Sequence, residues 1–267
     1  MTADADRSPG DVRSTLLESG TLLALVLDRP KGNVLTMEMM GRLGAALDAH
    51  AGDPHLKLVV LRGAGGTFSF GASVEEHRTA QAPAMLVLFH KLVRQLASYP
   101  VPVAALIEGR CLGGAFELAL CCHFVLAARD AVFGCPEIRL GVFPPVLAVL
   151  GPPRLGAATA ERLLLTGDDI GAEELARAGF VTALFDRGAD VEAALLEWYR
   201  QRLGRLSAFA LRQGTRAARA GAGWDELLGA RLEPVERRYV ESVLASHDGT
   251  EGIEAFLARR QPQWEDR

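Results

Sequence analysis

The chain has 267 residues, 49% apolar and 23% charged, with 28 glycines and 13 prolines; this mixture excludes collagen, coiled coil and disorder and predicts one large globular domain or two small ones. A net charge of −4, with arginines scattered rather than clustered, provides no basic field for nucleic acid or an anionic membrane, so neither is expected as a partner. Four cysteines without a CxxC pair read as buried thiols, the longest apolar run (118–128) is too short for a bilayer, and the polar, acidic start is unlike a targeting peptide; the chain is expected to be cytoplasmic. After a frayed N-terminus, Leu22–Leu27 reads as a short strand closed by the turn cluster Asp28-Arg29-Pro30-Lys31-Gly32. Thr36 is placed to cap a helix carrying Met40, Leu43 and Leu47, which ends before Asp53-Pro54. Residues 58–61 form a buried strand, and 63–71 a glycine-bearing loop. Met85, Leu88, Leu92, Val93 and Leu96 mark an amphipathic helix that stops at Tyr99-Pro100. A strand over 103–107, a second glycine loop over 109–114, a helix over 117–122 and a strand over 124–127 follow. Strands alternating with helices imply parallel crossovers, hence an α/β fold. From Gly156 onward the spacing reads as helical throughout: 157–165, 172–178, 193–203, 208–220, 224–244 and 252–260. The expected division is an α/β core over 14–200 and a helical region over 201–267.

Several catalytic motifs are absent: the chain has no GxxxxGK[ST], no HExxH and no GxSxG, and its histidines are dispersed. Two segments carry chemistry instead. In Gly113-Gly114-Ala115-Phe116-Glu117 a glycine pair leads straight into a helix, whose free N–H groups and positive end suit a developing oxyanion. Glu117 stands one turn in, where on this segment alone an ordinary partner of the helix dipole is the first reading and an acid or base the second. In Phe133-Gly134-Cys135-Pro136-Glu137 a proline turn fixes a carboxyl group at a strand end, where α/β proteins tend to place ligands; a solvated loop glutamate is the alternative.

Taken together, and with three further segments in the same order, these motifs resemble the crotonase (enoyl-CoA hydratase/isomerase) superfamily over nearly the whole chain. Asn33-Val34-Leu35 resembles its early Asn-Ala-Leu, and Phe68-Ser69-Phe70-Gly71-Ala72-Ser73 resembles F-x-x-G-A-D. Residues 112–117 resemble L-G-G-G-x-E, 133–137 resemble F-G-x-P-E, and 165–181 resemble the segment L-T-G…A-x-x-x-G-L-V. The resemblance implies a crotonase-like β/α spiral with a C-terminal helical region that makes a trimer or a dimer of trimers. It implies an acyl-CoA substrate and no metal or redox cofactor, CoA being part of the substrate. By the same resemblance the backbone N–H groups of Ala72 and Gly114 form an oxyanion hole, and Glu117 and Glu137 handle water and proton. Phe70, Gly71, Gly113, Phe116 and Phe143 become substrate and CoA contacts; Phe256 and Arg259 reach a neighbouring subunit's CoA.

Hydration needs one ionised and one protonated carboxyl group, which two carboxyls in an apolar pocket provide because ionising one raises the pKa of the other. Where hydratases of linear chains have a glycine-rich run, this chain has Gly141-Val142-Phe143-Pro144-Pro145-Val146, and it has Cys135 and Ser73 where Gln and Asp are usual. Residues 68–77 with Gly141-Val142-Phe143 are similar to hydratases of cyclohexa-1,5-diene-1-carbonyl-CoA in anaerobic aromatic degradation. The expected reaction is therefore hydration of that cyclic diene, with linear enoyl-CoA hydration or isomerisation, or non-catalytic CoA or RNA binding, as the alternatives.

Overall fold

A computed structural model describes residues 11–186 and 188–267. A six-stranded sheet takes β1 (Val12–Leu17), β2 (Leu22–Leu27), β3 (Leu58–Gly63), β4 (Val103–Ile107), β6 (Phe124–Ala128) and β9 (Ala183–Phe185), in that spatial order. β1 and β2 are antiparallel, and every later pairing in this sheet is parallel. A second, three-stranded sheet joins β5 (Arg110–Leu112) to β7 (Val132–Gly134) in parallel and β7 to β8 (Asp169–Gly171) in antiparallel register.

The apolar runs of β2, β3 and β4 have a simple cause: both faces of the large sheet are covered. Leu23, Leu25, Val59, Leu61, Val103 and Ala105 enter the main core. Their neighbours Leu22, Ala24, Leu58, Val60, Ala104 and Leu106 meet Leu195, Tyr199 and Leu203 on the opposite face. The main core is roofed by α1 (Met37–His50), α2 (Ala82–Ala97), α3 (Gly114–Cys121), α4 (Pro145–Leu155), α5 (Ala157–Thr166) and α6 (Ala172–Arg177), whereas α7 (Val191–Arg202) covers the other side. Beyond these come α8 (Ala208–Gly221), the short α9 (Trp224–Glu226), α10 (Leu232–Arg238) and α11 (His247–Leu257). Thr36 caps α1 as expected, its hydroxyl accepting from the Met39 N–H at 3.2 Å.

Four expectations need correction. Residues 1–10 of the expected frayed N-terminus lie outside the described residues, but 12–17 form the edge strand β1. It is mostly exposed and lacks an apolar period, so pairing with β2 rather than burial defines it. The region after Gly156 is not wholly helical, because β8 and β9 interrupt it; three residues are too few to set up a visible alternation. The helix expected at 117–122 starts earlier, at Gly114, and is buried on every side. The single helix expected at 224–244 is α9 and α10 with π-helical turns at Leu227–Arg231 and Tyr239–Val243.

Candidate active site

The small sheet brings two distant glycine segments together. Leu112 and Gly134 pair at the carboxyl ends of β5 and β7, and the Gly113 N–H donates to the Gly134 carbonyl at 2.8 Å. The loop at 69–72 runs alongside β5: the Ser69 N–H donates to the Arg110 carbonyl, and the Leu112 N–H to the Ser69 carbonyl. Gly71, at φ +94°, passes so close that a Cβ there would lie 2.6 Å from the Leu112 carbonyl oxygen. This approach sets Ala72 beside Gly114, where a Cβ would sit 3.5 Å from that of Ala72. Among the described residues the N–H groups of Ala72 and Gly114 have no acceptor, and Gly114 opens α3. Two free amides side by side, one of them at a helix start, are the arrangement that an oxyanion needs.

Two carboxyl groups flank these amides in unlike surroundings. Glu117 is 3% exposed, and its Oε1 accepts from the N–H groups of Val146 (2.7 Å) and Leu147 (2.9 Å) in the first turn of α4. Burial raises its pKa on balance, against the opposing pull of these two amides and the nearby His90 ring. Glu137 follows Pro136 in a 3₁₀ turn at Pro136–Leu140. Its Oε2 is buried without a partner, and its Oε1 lies 2.6 Å from where a Gly113 Cβ would stand. Burial first, and then the charge of Glu117, push the Glu137 carboxyl up to about 8. One carboxyl is thus held by donors that favour its ionised form, and the other is kept neutral near pH 7.

Both line a narrow cavity of about 20 Å³, together with Ala72, Gly114, Phe143, Pro144, Pro145 and Tyr239. Met85, Leu86 and Phe89 of α2 supply its apolar wall, and His77 sits at its edge with Nδ1 2.7 Å from the Ser73 carbonyl. Burial lowers the pKa of His77, favouring the neutral ring. Larger clefts lie beside Trp224 and beside Arg200, but neither contains this carboxyl pair.

Of the residues expected at the site, the structure brings together Ala72, Gly114, Glu117, Glu137 and Phe143, with Gly71 and Gly113 shaping the backbone beneath them. Phe70 lies outside the cavity lining, half-exposed against Gly32. Phe116 must be reassigned: it is fully buried, with its ring 5.2 Å from Phe133 and 5.7 Å from Phe180. Successive helix residues point roughly 100° apart, so the turn that aims Glu117 at the cavity aims Phe116 into the core. Phe256 is exposed near the end of α11, and Arg259 follows that helix; neither lines the cavity within one chain. Tyr239 was not among the expected residues. It enters from 100 residues beyond the carboxyl motifs, in a helical segment without any signature of its own.

The profile of the enoyl-CoA hydratase/isomerase family matches residues 18–267. The chain is 44% identical to a cyclohexa-1,5-dienecarbonyl-CoA hydratase of Thauera aromatica, over 94% of this chain and 96% of that protein. A probable enoyl-CoA hydratase of Bacillus subtilis is 30% identical over 90% of this chain and 93% of its own length. Among solved structures, an enoyl-CoA hydratase from Mycobacterium avium subsp. paratuberculosis superposes with a TM-score of 0.82 at 28% identity, covering 96% of this chain and 99% of that one. With its crotonase-type α/β fold and a profile match over almost its full length, the chain belongs to the enoyl-CoA hydratase/isomerase family.

Proposed function

We propose that this protein, a hydro-lyase of the enoyl-CoA hydratase type, adds water to cyclohexa-1,5-diene-1-carbonyl-CoA and forms 6-hydroxycyclohex-1-ene-1-carbonyl-CoA, a step of anaerobic aromatic degradation. The observation that carries hydration is the unlike carboxyl pair beside two free amides: Glu117 accepts from two backbone N–H groups that favour its ionised form, and Glu137 is unpaired and kept neutral. The 44% identity with the Thauera hydratase supports the cyclic substrate, as does the wall of Phe143, Pro144 and Pro145.

On this reading the thioester oxygen accepts from the N–H groups of Ala72 and Gly114, each worth about 3 kcal/mol in the transition state. The water oxygen forms a bond to C2 of the ring, and its proton passes to the Glu117 carboxylate. The electron pair of C1=C2 moves into a dienolate held by the two amides. The dienolate takes the Glu137 proton at C5, and the remaining double bond becomes C1=C6, still conjugated with the thioester. The proton gained by Glu117 returns to Glu137 between turnovers, so the enzyme is restored. No metal or redox cofactor takes part, and CoA enters with the substrate.

The assembly is proposed to be a homotrimer or a dimer of trimers in the cytoplasm, with Phe256 and Arg259 reaching a neighbouring subunit's CoA; the exposed Phe256 ring supports this. No helix among the described residues is long and apolar enough to cross a membrane. Initial rates on the cyclic diene and on crotonyl-CoA, measured side by side, test the substrate. We expect kcat/KM at least about tenfold higher for the diene, the discrimination available to one shaped apolar wall. Equal rates, or preference for crotonyl-CoA, would leave only general hydratase activity.

A further inference from the structure

Two polar groups at the cavity have no partner among the described residues of the protein. Oε2 of Glu137 is one. The other is the hydroxyl of Tyr239, a residue 1% exposed, which has no hydrogen-bond partner among the described residues. The unpaired Tyr239 hydroxyl borders the cavity and is free to donate to a ligand there. The thioester oxygen is already matched to the two amides, which leaves the incoming water as the remaining polar atom for Tyr239.

The phenol ring is held in place from two sides. It meets Phe143 edge to face, with centroids 5.4 Å apart and planes at 78°. Three residues earlier on the same helix, Glu236 binds Nδ1 of His90 at 2.8 Å and the Arg94 guanidinium at 3.1 Å, tying α10 to α2. A π-helical turn begins at Tyr239, a local widening that often accompanies functional positions.

Resting on the hydratase reading above, we propose that Tyr239 is a further catalytic residue: its hydroxyl donates a hydrogen bond to the water oxygen that attacks the ring, and afterwards to the hydroxyl of the product. One water lone pair bonds to carbon, the other accepts from Tyr239, and a water proton goes to Glu117. The water is thereby confined to one face of the ring. Burial and the two nearby carboxyl groups raise the pKa of the Tyr239 phenol, so it remains a donor throughout the working range.

Tyr239→Phe tests this, because it deletes the hydroxyl and keeps the ring against Phe143. The binding of 6-hydroxycyclohex-1-ene-1-carbonyl-CoA and of its hydroxyl-free analogue, cyclohex-1-ene-1-carbonyl-CoA, is compared by inhibition in wild type and variant. A lost neutral hydrogen bond corresponds to about tenfold. We expect the hydroxylated ligand to bind about tenfold more weakly, the hydroxyl-free ligand to be unaffected, and kcat on the diene to fall about tenfold or more. Equal weakening of both ligands would mark a structural residue and overturn the proposal, as would no weakening of either. A wild-type protein that does not hydrate the diene overturns the substrate reading; one that hydrates it as fast as Tyr239→Phe overturns the Tyr239 role alone.

Discussion

Glu137→Gln is expected to lower kcat at least about 100-fold, with little change in the binding of unreactive acyl-CoA, because the amide cannot deliver the proton that ends the reaction. Glu117→Gln is expected to cost as much, since the amide keeps the space but cannot take the proton of water. The double variant is expected to lose far less than the sum of the two free-energy losses, because the groups serve one addition. The pH dependence separates the two roles. In the proposed mechanism Glu137 acts while protonated, so wild-type activity is expected to fall as pH rises through about 8, and the residual activity of Glu137→Gln to lack that limb. In the same mechanism Glu117 acts while ionised, so the acidic limb is expected to be lost in Glu117→Gln. Stability provides the fold control. The folded state raises the Glu137 pKa from the ordinary 4.5 to about 8, so it binds that proton more tightly than the unfolded chain does. Its ionisation therefore costs stability progressively between those values, and Glu137→Gln is expected to be more stable than wild type at pH 9, the gain vanishing towards pH 4.5. Near-normal kcat in either single variant would remove that glutamate from the chemistry.

Gly113→Ala is expected to have the next largest effect. Gly113 has φ +52° and ψ −131°, backbone angles that strain any residue with a side chain, and its Cβ would fall 2.6 Å from Oε1 of Glu137. The carboxyl must move, and the peptide leading to the Gly114 N–H moves with the backbone. We expect kcat to fall about 100-fold, as misplacing a positioned group by about 1 Å does, and stability to drop by about 1–3 kcal/mol from the backbone strain. Gly66→Ala is the matched control. Its φ of +69° is also positive, but no neighbouring atom lies within 4 Å of the new Cβ. It should lose some stability to its own positive φ and retain activity; comparable kcat losses in both variants would show that the contact with Glu137 is irrelevant.

The site was legible in the sequence where chemistry is written locally. Gly113-Gly114 ahead of a helix announces free amides, and Pro136-Glu137 after a strand announces a fixed carboxyl. The sequence does not show that Leu112 and Gly134 pair, which is the tertiary contact that makes these two segments one site. Phe116 illustrates a local motif read too far: its place beside Glu117 said nothing of the side it faces, and the wholly buried α3 turns it into the core. Tyr239 was illegible for the opposite reason. It has no motif, and it reaches the cavity from a segment that Glu236 ties to α2, with its ring against Phe143. In the fold, the buried strands announced themselves by apolar runs, whereas β1, exposed along most of its length, had only backbone pairing to define it.

Hydration of the cyclic diene in D₂O tests the proposed chemistry most directly. Attack at C2 with proton delivery by Glu137 at C5 requires C5 to lie about 3–3.5 Å from a carboxyl oxygen in the bound ring. Deuterium is expected at the former C5 and none at the α-carbon, as read by NMR of the product. Deuterium at the α-carbon would contradict that chemistry, because the dienolate would then have been protonated next to the carbonyl, as in a linear enoyl-CoA.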